Sequence, residues 1–332
     1  MKIEAKIGSW IVLLLFSLSI SISAYYSLRR FSLPKNTDSI TTYYVGKFGK
    51  KGLQSLRQEW RSRVFSNYLA SLFFPGELKL GEFKISPARF SAAVGVWVGI
   101  WLFLTNLVYI CFDRKKAILH MLITYAAVIT AYYGIGGMQG HRPWDMPILC
   151  FSTLIVFLAL SNNSKWLIGL IPLSMGFKET AVVLAPLILL DGRYKIFKKI
   201  ILTCVTVGIA LLVKYLLDQF VDNTTSVFTA TVTDEVLQGQ PRFYYNLKAV
   251  ASFYFTLFFT INVGSLLFFI LLPLQRNILV LKGIAAVFII SLFLYGMVYE
   301  IRIWFELLPI SLAGLHIWQS PELKKELGII NS

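Results

Sequence analysis

Asp38-Ser-Ile-Thr-Thr-Tyr43-Tyr44 and Glu59-Trp60-Arg61-Ser-Arg63-Val-Phe-Ser-Asn67-Tyr68 belong to one long polar insert in a chain that is otherwise mostly apolar. The insert covers residues 29–88, between a first apolar segment at 8–28 and a second at about 90–112. That contrast decides the fold class. Of the 332 residues, 56% are hydrophobic and only 15% are charged. A soluble domain of this size carries far more charge on its surface. Several apolar runs approach or exceed the roughly 20 residues that cross a bilayer core. Unbroken apolar runs, without the alternating segments of a barrel, indicate helices. The expected fold is an all-α polytopic membrane protein forming a single membrane domain over 1–332.

Working outward, the first segment lacks an A-x-A type cleavage site and reads as a retained signal anchor. Phe65 to Phe74 is apolar and stops at Pro75-Gly76, which predicts an interfacial helix within the insert. Further spans are expected at about 117–135, 146–161, 200–218, 249–273, 278–298 and 303–318. Residues 166–190 differ. Two apolar halves, each too short to cross alone, flank Gly176-Phe177-Lys178-Glu179-Thr180, so the segment is broken or re-entrant. The total is about eight transmembrane helices plus that hairpin.

Net charge is +15, from 32 Lys and Arg against 17 Asp and Glu. Lys- and Arg-rich cytoplasmic turns facing anionic lipid explain this better than nucleic-acid binding does. Asp113-Arg114-Lys115-Lys116 and Arg193-Tyr-Lys195-Ile-Phe-Lys198-Lys199 are such turns. They put both termini in the cytoplasm and the 29–88, 137–145 and 219–248 loops outside. The basic first insert runs against that trend, which applies weakly to long loops. Cys111, Cys150 and Cys204 read as apolar packing residues, and the three scattered His make no metal spacing. No cofactor or metal site is predicted, and the need for a divalent ion is left open.

The candidate chemistry lies on the outer face. Lys178 and Glu179 interrupt an apolar stretch, and charge at that depth belongs in the protein interior or a wet cavity. A headgroup-level turn is the plainer reading. Glu300 and Arg302 open the last span. On an α-helix Arg302 and Glu306 share a face, so a carboxylate-held Arg could clamp phosphate or simply form a structural pair. Asp145 suits the positive end of the fourth span, and Arg142 beside it is a weaker anion ligand. Asp38 and Glu59 are candidate bases in the insert. Arg61 and Arg63 are candidate phosphate ligands or a basic interfacial patch.

One span, a long outer loop with an acid and nearby tyrosines, and further spans together resemble the GT-C superfamily. Its members are integral-membrane glycosyltransferases that use polyprenyl-phosphate sugars. Asp38 with Tyr43-Tyr44 is similar to the acid-and-tyrosine region of their first outer loop. The Glu59 to Tyr68 phrase is similar to the Arg-containing amphipathic stretch of bacterial members. Phe177-Lys178-Glu179-Thr180 and Glu300-Ile-Arg302 through Leu-Leu-Pro309 resemble phrases in other bacterial GT-C-like proteins.

The resemblance implies a multi-pass protein of the bacterial inner membrane. It would move sugar from a polyprenyl-phosphate donor to a glycan or lipid acceptor. Asp38, or Glu59 as second choice, would act as general base. Arg61, Arg63, Lys178 and Arg302 would meet the charge of the phosphate leaving group. Two other readings fit the same sequence: a lipid or polysaccharide transporter or polymerase subunit, and a non-catalytic GT-C-like scaffold in a membrane complex.

Overall fold

The computed structural model describes residues 63–73, 87–133, 142–222, 276–295 and 301–321, with isolated positions elsewhere. The described residues are all-helical, without strands. We number the helices α1 (Val64–Ser71), α2 (Pro87–Phe112), α3 (Arg114–Tyr133), α4 (Asp145–Leu160), α5 (Leu167–Met175), α6 (Ile196–Phe220), α7 (Arg276–Tyr295) and α8 (Leu308–Gln319). A long 3₁₀ segment, Glu179–Leu190, joins α5 towards α6, and a shorter one, Ile301–Glu306, precedes α8.

Helix α4 is the axis of the packing. It is apolar all round and buried on nearly every face, which is the pattern of a central helix. On one side it packs with α2, α3 and α8 through Trp97, Leu102, Tyr109, Leu149, Phe157 and Leu312. On the other it meets α5 and the long 3₁₀ segment, on which α7 packs in turn, through a core that includes Ile155, Ile171, Leu184, Ile188 and Phe288. A small corner of Val64, Trp144 and Val221 attaches α1.

By length and composition, two described helices can cross a bilayer: Ala92–Phe112 and Ile196–Phe220. Asp145–Leu160, Glu179–Leu190 and Ile278–Ser291 are apolar but shorter. Two such helices, set against the expectation of about eight, arise partly because the last expected span divides into a 3₁₀ turn and the 12-residue α8. The expected first span and that at 249–273 lie outside the described residues, as does most of the 219–248 loop. The two long helices differ in their surroundings. Only 11% of the apolar window of α6 is buried, against 44% for α2. Helix α6 thus presents Ile200, Val205, Leu212 and Leu216 outward.

The end of the fold nearest the basic turns is tied by side chains. Asn162 takes a left-handed φ of 54° after α4, a conformation Asn tolerates better than most residues. Its Oδ1 accepts from the Gly192 N–H at 2.9 Å. Asp191 accepts from Ser164 Oγ at 2.5 Å and from Arg193 Nε and Nη2 at 3.0 and 2.6 Å. Asp113 caps α3 through the Lys116 N–H at 3.2 Å and lies 3.3 Å from His316 Nδ1, joining α3 to α8.

Burial works to raise the Asp191 carboxyl, but hydrogen bonds from Arg193 and Ser164 outweigh it and hold the group well below the usual carboxylate range. A depressed folded-state pKa adds stability that is present above the unfolded value of about 3.9 and lost as pH falls towards the folded one. Thermal unfolding in detergent is therefore expected to be insensitive to Asp191 protonation above about pH 5 and to drop below pH 4. Asp191→Asn should lower stability at pH 7 and flatten that acid-side dependence; an unchanged acid limb would contradict it.

Candidate functional site

At the far end of α5, towards the N-terminal half of α4, four chain segments converge on the break between α5 and the long 3₁₀ segment. The break is built by Gly176. Its carbonyl accepts the Phe65 N–H at 2.9 Å, so the start of α1 lies directly on the turn. A side chain at Gly176 would run into the Phe65 ring, which explains why glycine stands there. Ser66 Oγ then donates to the Phe177 carbonyl at 3.1 Å. Phe177 fills a cage of Phe65, Phe151 and Trp101, with ring centroids 5.9, 4.9 and 5.6 Å away.

These contacts fix the direction of the next two side chains. Lys178 and Glu179 do not pair with each other. Arg63 reaches Glu179 in a two-pronged bond, Nε to Oε2 at 3.0 Å and Nη2 to Oε1 at 2.5 Å. The guanidinium also lies over the Trp144 ring, 4.4 Å from its centroid. Lys178 Nζ bonds Glu306 Oε1 at the end of the 3₁₀ turn before α8. All four charged side chains are largely buried, at 11% and 10% exposure for the first pair and 9% and 3% for the second. Burial is tolerable because each charge has an opposite partner; removing one partner strands the other in a poor solvent for ions.

The loop before α4 closes the site. Trp97 Nε1 donates to the Pro143 carbonyl at 3.0 Å, which anchors that loop to α2. Asp145 lies in the first turn of α4, the place predicted from its charge, and is 2% exposed. Arg142 is half-buried just ahead of it.

Of the sequence candidates, the structure brings Arg63, Lys178 and Glu179 together, with Arg142 on the adjoining loop. Asp38, Glu59, Arg61 and Glu300 lie outside the described residues, as does the side chain of Arg302. One expectation is corrected. An Arg302–Glu306 face assumed α-helical spacing, but Ile301–Glu306 is a 3₁₀ turn, in which residues three apart align. Glu306 instead receives Lys178. From the sequence Glu306 reads only as a partner for Arg302, and Trp144 does not read as a site residue at all. An acid within an apolar span was a sufficient signal for Glu306. Nothing local pointed to Trp144.

Among the described residues no cluster of His, Cys, Asp and Glu is arranged to hold a metal ion. No family model matches the chain, and no curated protein or solved structure matches it either.

The arrangement holds two carboxylate-paired cations in a low-exposure setting, one of them over an aromatic ring. Gly176→Ala should disturb both pairs by pushing Phe65 off the turn. A loss of about 1–3 kcal/mol, as for an overpacked core, is expected in unfolding of the detergent-solubilised protein. Phe65→Ala added to Gly176→Ala should recover part of it; wild-type stability of Gly176→Ala alone would show that the close approach is absent.

Proposed function

We propose that the chain is a multi-pass integral-membrane glycosyltransferase of the GT-C kind. It transfers a sugar from a polyprenyl-phosphate donor to a glycan or lipid acceptor on the non-cytoplasmic side. The observation that supports this reading is the meeting of Arg63 and Lys178 at one buried turn, each oriented by a carboxylate from a distant part of the chain. Cations held in place before reaction are what a departing phosphate needs, since they stabilise its growing charge without reorganising. An Arg fixed by a two-pronged carboxylate and an aromatic face suits phosphate geometry in particular.

The exposed apolar surface of α6 is consistent with lipid around it, and the further expected spans complete a multi-pass inner-membrane protein with cytoplasmic termini. In this reading the donor's lipid tail lies between helices and its phosphate exchanges contacts with Glu179 or Glu306 for the cations. Asp38, or Glu59 in its place, deprotonates the acceptor hydroxyl, which attacks the anomeric carbon as polyprenyl phosphate leaves. The reaction class requires no cofactor, and a divalent ion is not assigned.

Purified protein in lipid nanodiscs, supplied with radiolabelled polyprenyl-phosphoryl hexoses and pentoses and a mixed envelope-glycan acceptor, tests this. Transfer is expected in wild type, with a fall of about 100- to 1,000-fold in Arg63→Gln and Lys178→Gln, and complete loss in Asp38→Asn. Wild-type transfer rates in all three variants would assign the ion pairs to structure alone. Absence of transfer from every donor, alongside flux of a lipid-linked sugar across sealed vesicles, would favour a transporter.

A further inference from the structure

In the turn that leads into α6, residues 191–199, four cations stand against one acid: Arg193, Lys195, Lys198 and Lys199 against Asp191. Lys199 turns inward, its Nζ donating to the Leu189 carbonyl at 3.0 Å, and the other three are exposed. Arg193 and Lys198 gather on one ring, with Cζ 5.5 Å and Nζ 4.4 Å from the centroid of Tyr194. Asp191 pairs with Arg193, and among the described residues no carboxylate pairs with Lys195 or Lys198. The Ser164 bond to Asp191 brings Lys165 and Trp166 to the same end of the fold. Lys165 Nζ lies 5.7 Å from the centroid of the Trp166 ring, which is 59% exposed.

Like charges gathered on one ring repel, and an anion beside them removes that cost. The neighbouring surface decides which anion. The exposed apolar face of α6 begins in this turn with Ile196 and Phe197, the latter 73% exposed, and continues through Ile200, Ile201 and Val205 at helical spacing. Basic surface therefore passes directly into apolar surface on a helix long and apolar enough to cross a bilayer. A free phosphate has no match for the apolar part, and a nucleic acid brings charge without an alkyl chain. An acidic phospholipid brings both in that order. The exposed Trp166 beside Lys165 fits the same level of the membrane, where amphipathic indole rings collect.

We propose that the 191–198 turn is a binding surface for an acidic phospholipid. The headgroup phosphate meets Arg193, Lys195 and Lys198, and an acyl chain lies along the first turns of α6 from Phe197. Basic side chains next to a membrane attract anionic headgroups in this way, each adding to the preference over neutral lipid. Asp191, fully buried, orients Arg193 without presenting its own charge to the bilayer. The surface goes beyond the sugar-transfer reading and does not depend on it, since it needs only that α6 sits in lipid.

The test uses the full chain purified in detergent and two probes, phosphatidylglycerol and phosphatidylcholine with matched acyl chains, with binding read by native mass spectrometry. Wild type is expected to hold phosphatidylglycerol about tenfold more tightly, since each basic side chain at the surface is worth about fivefold. Lys195→Gln with Lys198→Gln, both exposed and outside the buried ion pairs, should erase most of that preference. Arg114→Gln with Lys115→Gln takes the same charge from another exposed basic turn and should leave the preference within about twofold. Phe197→Ala should weaken binding of both lipids and leave their ratio unchanged. Equal affinities of wild type for the two lipids would overturn the proposal, as would a preference that survives loss of Lys195 and Lys198. Equal losses from the two double variants would also overturn it, by assigning the preference to net charge. Displacement of phosphatidylglycerol by inorganic phosphate or by single-stranded RNA would make another anion the ligand. No outcome depends on sugar transfer, so a failed transfer assay leaves this result standing.

Discussion

A guanidinium withdrawn from water needs a carboxylate at bonding distance, and Arg63 finds it 116 positions along the chain in Glu179. Much of the architecture follows from that requirement. To bring the two together, α1 must lie on the turn at Gly176, and the turn must lack a side chain. Once there, Phe65 and Ser66 hold the Phe177 backbone and ring, which directs Lys178 away from Glu179 and towards α8. The second pair is thus set by the same turn that sets the first. Ion pairs of this kind are weak evidence of stability, because desolvation offsets much of the attraction. Their value is that they specify one arrangement of four segments.

The two ends of α4 make different use of charge. At the Asp191 end, Ser164 and Arg193 donate to the carboxylate, and Asn162 accepts from the Gly192 N–H beside it. At the Gly176 end the partners are more than a hundred positions apart, with Trp144 under Arg63 and the caged Phe177 ring next to Lys178 in the chain. A hub of neighbours is sufficient to end helices. Long-range buried ion pairs are a costly way to do so, and the proposed function gives them a purpose. The long 3₁₀ segment beginning at Glu179 is in keeping with this, since extended 3₁₀ runs are uncommon and often accompany functional constraint.

Much of the helical class was legible in the residues, because apolar runs and turn-like breaks do not depend on partners. The break at Gly176 was visible for the same reason: two ionisable residues between apolar halves have few places to go. Asp145 at the start of α4 followed from the helix dipole alone. Pairing was not legible. Lys178 and Glu179 are adjacent in the chain, yet each bonds a residue more than a hundred positions away, and local spacing carries no information about that choice. Arg302 with Glu306 shows the complementary failure. Helical periodicity suggested a shared face, but the backbone there winds with three residues per turn, and the acid answers to another segment.

The meeting of α1 with the broken segment is the claim on which the site depends, and a double-mutant cycle across Arg63 and Glu179 measures it directly. Arg63→Met, Glu179→Met and the double variant would be compared by reversible unfolding in mixed micelles. Strong coupling of about 1.5–5 kcal/mol is expected, with the double variant more stable than either single one, as for a buried pair whose partners strand one another. Additive effects to within about 0.5 kcal/mol would mean that the two side chains do not touch, and the account of the site would fail with them.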